Sequence, residues 1–114
     1  MKTVLIVMKD HTRRNGLSVA IVATGQYQTI ACATAENAYQ YLKRADAIIT
    51  DYVLSGMSGA QLAEVAKREK PSIPIMLVKE NSNSSVPNNH LADKVISKEN
   101  LFRNVCSWLA EVLK

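Results

Sequence analysis

Short apolar runs alternate with longer amphipathic stretches along the whole chain. Thr3–Val7 (T-V-L-I-V) is a continuous apolar run of strand composition, ended by Met8-Lys9-Asp10. From about Thr12 to Thr24, Leu17, Ala20, Ile21 and Thr24 recur at helical spacing; Gly16 weakens that helix and Gly25 suits its C-terminal cap. Gln28–Cys32 predicts a second strand, and Thr34 can cap a helix that turns Ala38, Tyr41 and Leu42 inward. A third strand, Ala47-Ile48-Ile49 at its heart, stops at Asp51. Ser58 then caps an amphipathic helix to about Glu69, with Ala60, Leu62, Ala63 and Ala66 on or near its buried side. Pro71 and Pro74 bracket a turn; Ile73–Val78 and Lys94–Ser97 predict the fourth and fifth strands. Asn100 can cap a last helix whose core stripe is Leu101, Val105, Trp108, Leu109 and Val112.

The stretch Lys79–His90 breaks this rhythm. Seven of its twelve residues are Asn or Ser, and Pro87 lies inside it. Such side chains compete with the backbone for hydrogen bonds, so a loop is predicted, with at most one helical turn near Ser84–Leu91. Strands alternating with helices predict a parallel sheet covered on both faces by right-handed crossovers.

Composition adds bounds. The 114 residues read as one domain, 1–114, with 47% hydrophobic and 21% charged residues, an ordinary globular balance. No apolar run approaches the ~20 residues of a membrane span, and the N-terminus does not read as a signal peptide; a cytoplasmic location is expected. Cys32 and Cys106 are far apart and form no C-x-x-C, so two free, mostly buried thiols are expected. A net charge of +4 permits an acidic partner without arguing for nucleic acid.

The candidate chemistry lies at Asp51. A carboxylate at the carboxyl end of a buried strand stands on the sheet edge where open α/β folds bind ligands. A helix cap or a solvated loop residue is the plain alternative. The surrounding segment, I-I-T-D-Y-V-L-S-G-M-S-G, resembles the phosphoacceptor segment of response-regulator receiver domains: strand, Asp51, a five-residue gap, then Met57, Ser58 and Gly59 opening a helix. The opening V-L-I-V resembles the family's first strand, I-P-I-M-L-V its fourth, and K-V-I-S-K its fifth, ending at Lys98. The similarity covers the chain as one receiver domain. It implies a flavodoxin-like (CheY-like) three-layer α/β sandwich with a five-stranded parallel sheet of order 2-1-3-4-5, the fourth helix short or missing.

The resemblance also implies roles. Phosphoryl transfer to a carboxylate needs Mg²⁺ to neutralise phosphate charge. Matched to the family, Asp51 is the phosphoacceptor position, Val53 offers a backbone carbonyl to a metal, and Lys98 is the phosphate-contact lysine. The rest departs. The acidic pair falls on Met8 and Lys9, with Asp10 one residue late. The switch hydroxyl falls on Lys79, the small residue after it is Glu80, the aromatic switch position is Val95, and Ser55 replaces a usual proline. A pocket of three carboxylates and one lysine attracts a hard cation; here Asp51 faces Lys98 and Lys9 instead. Lys9 is therefore expected to occupy the metal position, its ammonium ~4 Å from Asp51. The alternatives are that Lys9 points to solvent, or that Asp10 turns in to complete a weak metal site with Asp51 and Val53. Lys79 would pair with Asp51 or Glu80, or reach solvent.

The remaining residues have plain readings: His11 and His90 exposed, Met57 and Met76 packing, and Lys67, Arg68 and Lys70 a solvated helix end. Lys9, Arg13 and Arg14 form a basic rim that could take an anion. The reading that follows is a receiver-like signalling domain, not an enzyme, without Mg²⁺-dependent phosphorylation and without a cofactor. It would act through a protein partner: a histidine kinase, a phosphotransfer protein or an output protein. The rivals are a working receiver phosphorylated on Asp51 with Mg²⁺, and a nucleic-acid-binding module using the basic rim.

Overall fold

A computed structural model describes residues 1–88 and 90–114 of the chain. Its elements run β1 (Lys2–Val7), α1 (His11–Val22), β2 (Tyr27–Cys32), α2 (Ala35–Tyr39), a 3₁₀ turn (Leu42–Arg44), β3 (Ala47–Asp51), α3 (Gly59–Glu69), β4 (Ile75–Lys79), β5 (Lys94–Ser97), a second 3₁₀ turn (Lys98–Asn100) and α4 (Leu101–Val112). The five strands form one sheet of order β2-β1-β3-β4-β5. Every neighbouring pair is parallel. This is the expected flavodoxin-like sandwich. Among the described residues no helix is long and apolar enough to cross a membrane.

Strand alternation builds two cores. Val4, Ile6, Ala47, Ile49, Met76 and Val78 face α1 and α4, where Leu17, Ile21, Leu101, Val105, Trp108 and Leu109 meet them. Leu5, Val7, Ile48 and Ile75 face the other side, against Ala35, Ala38, Leu62, Ala63 and Ala66 of α2 and α3. A strand buried on both faces has no solvent side to mark with polar residues, which is why β3 reads as a plain apolar run. All five residues of β3 are buried, including Thr50 and Asp51.

The helix starts are set locally. Thr34 accepts from the Asn37 N–H, and Ser58 and Gln61 form a reciprocal capping box at α3. Asn100 stands before α4 but makes no cap: its backbone is already in the right-handed region (φ −107°, ψ 0°) instead of extended, and its side-chain amide donates to Ser97 Oγ at 3.0 Å. The 3₁₀ turn ahead of it already leads the backbone into the helix.

Between β4 and β5 the described residues form bends and turns rather than a helix; Asn89 lies outside them. Lys79 organises this segment. Its Nζ donates to the carbonyls of Ser82 and Ser84, both at 3.2 Å, so it pairs with neither Asp51 nor Glu80. Asp93 ties the far end down: one carboxylate oxygen accepts from the Ile75 N–H at 2.8 Å and from Lys67 Nζ at 2.9 Å. Lys67 also donates to the Ile73 carbonyl and Lys70 to that of Ala45, so these two lysines clamp the end of α3, while Arg68 is solvated as expected. Two further expectations are corrected. Cys106 is exposed, on the outer side of α4, while Cys32 is buried. His90 is half-buried, and its Nδ1 has no hydrogen-bond partner among the described residues.

Gly59 explains why a glycine opens α3. Its N–H donates to the Tyr52 carbonyl at 2.8 Å. A Cβ there would overlap the backbone carbonyl of Asp51 and stand 2.9 Å from Leu77. Gly59→Ala is expected to destabilise the fold by about 1–3 kcal/mol, the usual range for overpacking, as read by denaturant unfolding. An unchanged midpoint would show that the helix start moves freely off β3. Hydrogen exchange gives a second check: the amides between Asn81 and Asn88 are expected to exchange far faster than those of β4.

Candidate functional site

Parallel strands bring their carboxyl ends to one edge. There stand Met8 and Lys9 after β1, Asp51 ending β3, Lys79 and Glu80 at the end of β4, and Lys98 after β5. The first turn of α1 adds Arg13 and Arg14.

Asp51 is 2% exposed. One carboxylate oxygen, Oδ2, accepts from the backbone N–H of Lys9 at 3.1 Å. The other, Oδ1, is buried with no partner among the described residues. Burial pushes the Asp51 carboxyl above the ordinary aspartate range. The Lys9 N–H and the charges of Lys98, Lys9 and Arg13 pull it back only in part.

The expected Lys9–Asp51 ion pair is corrected: the bond comes from the Lys9 backbone, and the side chain is exposed. Strand geometry is the reason. Met8 turns into the core on the α1 side, fully buried, so Lys9 must point outward. Its charge still reaches both Asp51 and Glu80. Asp10 does not turn in either. It caps α1, its carboxylate accepting from the Arg13 N–H at 2.8 Å. The basic rim divides: Arg13 faces the acids, whereas Arg14 is half-buried and donates from Nη1 to the Met8 carbonyl at 2.8 Å.

Lys98 also departs from expectation. Its Nζ lies 2.9 Å from Glu80 Oε1, with the lysine side chain 12% exposed and the glutamate 56%. This bond holds the Glu80 carboxyl below its ordinary range. With one partner half in water, such a pair contributes about 1 kcal/mol or less. Val95 lies half-buried on β5 beside Leu77, and Val53 is exposed in the loop after β3.

Divalent metal chemistry can be tested on these groups. The bare Oδ1 of Asp51 and the Val53 carbonyl are hard oxygen donors. A dication needs more negative charge than one carboxylate, and three cations, Lys9, Arg13 and Lys98, face that carboxylate. Asp10 is committed to α1 and Glu80 to Lys98. The residues do not fit a Mg²⁺ site.

Two features of the site were missed in the sequence: the Glu80–Lys98 pair and the Arg14 bond to Met8. Neither has a local pattern; both depend on which strands end side by side. The charge of the site does carry a pH signature. The folded protein holds a proton on Asp51 more tightly than the unfolded chain does, so ionised Asp51 opposes folding above its folded pKa. Asp51→Asn is expected to raise Tm near pH 7, with a gain that fades as the pH falls toward 3.8, the ordinary aspartate value. A gain unchanged across that window would show that the buried charge is not its cause.

No family model and no curated protein matches the chain. Solved structures do. The signal receiver domain of a signal transduction histidine kinase from Syntrophus aciditrophicus is 26% identical, with a TM-score of 0.84 over 99% of this chain and 90% of that one. The signal receiver domain of an HD domain-containing protein from Pseudomonas fluorescens is 19% identical, with a TM-score of 0.85 over 98% and 94%. The response regulator protein TrrA from Thermotoga maritima, solved in complex with Mg²⁺ and BeF, is 21% identical, with a TM-score of 0.82 over 98% and 99%. The chain has the fold of CheY-like response-regulator receiver domains.

Proposed function

We propose that this chain is a receiver-like signalling module that works by protein–protein interaction, without Mg²⁺-dependent phosphotransfer and without catalysis of its own. One observation carries the reading: Asp51, at the phosphoacceptor position, is buried and faced by three cations, with no second carboxylate among the described residues free to share a metal. Phosphoryl transfer to a carboxylate depends on neutralising the charge of the incoming group, and fixed cations alone do not replace an octahedral metal. Lys79, at the switch position, carries no hydroxyl and is bound to the loop carbonyls of Ser82 and Ser84. Val95 offers no ring to reorient.

The likeness to receiver domains supports a protein partner, and the partner proposed is a histidine kinase, a phosphotransfer protein or an output protein. Its contact surface would differ from that of a helix-covered receiver. Between β4 and β5 it would meet the Asn/Ser-rich segment, followed in the chain by the half-exposed Leu91. A cytoplasmic setting is part of the same proposal.

A second reading has one observation in its favour. Oδ1 of Asp51 has no hydrogen-bond partner among the described residues, so an acceptor atom is available to a phosphoryl donor. Intact mass after incubation with Mg²⁺ and a small acyl phosphate separates the two, with Asp51→Asn as control. The expected result is no adduct. A phosphoryl adduct that disappears in the variant would make this a working receiver.

A further inference from the structure

The charge of Lys98 reaches two acids, Asp51 and Glu80, and its ammonium touches one of them. Lys98 follows β5, and Asp51 ends β3; β4 lies between those strands. To reach Asp51, the lysine must cross the end of β4. Glu80 is the residue that directly follows β4, and it takes the ammonium at 2.9 Å. Beyond it, Oδ1 of Asp51 is buried with no hydrogen-bond partner among the described residues.

We propose that Glu80 is a positioning residue that intercepts Lys98, and that the lysine turns onto the bare Oδ1 of Asp51 when Glu80 lets it go. A lysine is suited to this: its ammonium has three donors and its four-carbon stem swings without moving the backbone. The two acceptors differ in kind. Glu80 is half in water, so its hold on the ammonium is screened, whereas Asp51 is shut from solvent and gains more from a cation than an exposed acid does.

The other charges around the pair do not substitute for Lys98. Lys9 and Arg13 face both acids from the α1 side, but neither forms an ion pair with them among the described residues. Asp10 is bound to the Arg13 N–H. Lys79 is held by the Ser82 and Ser84 carbonyls, and Glu99 accepts from the Ser82 N–H. The switching group is therefore Lys98 alone. This goes beyond the interaction-module reading and does not rest on it, since the choice between two carboxylates is made inside the chain whatever docks outside.

Carboxyl carbon NMR of Asp51 through a pH titration tests it, in the wild type, Glu80→Gln, Lys98→Met and the double variant. Glu80 is exposed, so Glu80→Gln is expected to fold normally. The Asp51 midpoint is expected to fall by about one unit or more in Glu80→Gln, the usual effect of a cation arriving within ~4–6 Å. Most of that fall is expected to vanish when Lys98 is also Met. An unchanged or raised midpoint in Glu80→Gln would overturn the proposal. So would an equal fall in the Lys98→Met background, because that would be the simple loss of a neighbouring negative charge.

Discussion

A carboxyl group excluded from water at the end of a doubly covered strand is the constraint on which this site depends. Strand β3 is buried on both faces, so Asp51 inherits that burial. Ionising it there is costly unless charge or hydrogen bonds compensate. The chain supplies one backbone N–H in contact and three cations at a distance, and burial still dominates. The unusual pieces around it can be understood from that balance. Positive charge gathers at this edge, and the lysine that could neutralise Asp51 is bound to a glutamate at the rim.

The fold was largely legible in the sequence. Doubly buried strands such as Val4–Val7 and Ala47–Ile49 are apolar without interruption, and the helices between them bury one stripe each. Boundaries fell within a residue or two, except in α2, which ends at Tyr39 and leaves the expected Leu42 to a 3₁₀ turn, and capping inferred from residue type alone failed once. Asn100 has the right identity for a cap, yet Ser97 takes its amide. The Asn/Ser-rich segment was read correctly as lacking a regular helix among its described residues.

The site was legible only in its inventory. Which residues gather at the edge follows from a parallel sheet with its order known, and the sequence supported both. Which atoms touch does not follow. Lys9 was expected to reach Asp51 with its ammonium, but the alternation that buries Met8 sends that side chain outward and leaves the N–H to make the bond. Lys79 found acceptors three and five residues along its own chain, a shorter path than any across the edge. Long flexible cations choose among several carbonyls and carboxylates within reach, and a linear pattern does not rank those choices.

The strand order also shapes how the molecule comes together. β1 pairs with β2 on one side and β3 on the other, so β1 has both of its neighbours within the chain that runs to Asp51. β4 and β5 then extend a single edge, joined to the rest through β3 and the Asp93 clamp. The first half thus holds three adjacent strands of the sheet, and the second half adds the two strands of one edge. The site is therefore divided between the two halves of the chain: Asp51 ends the third strand of the first half, and the lysine and glutamate that pair at this edge both belong to the second.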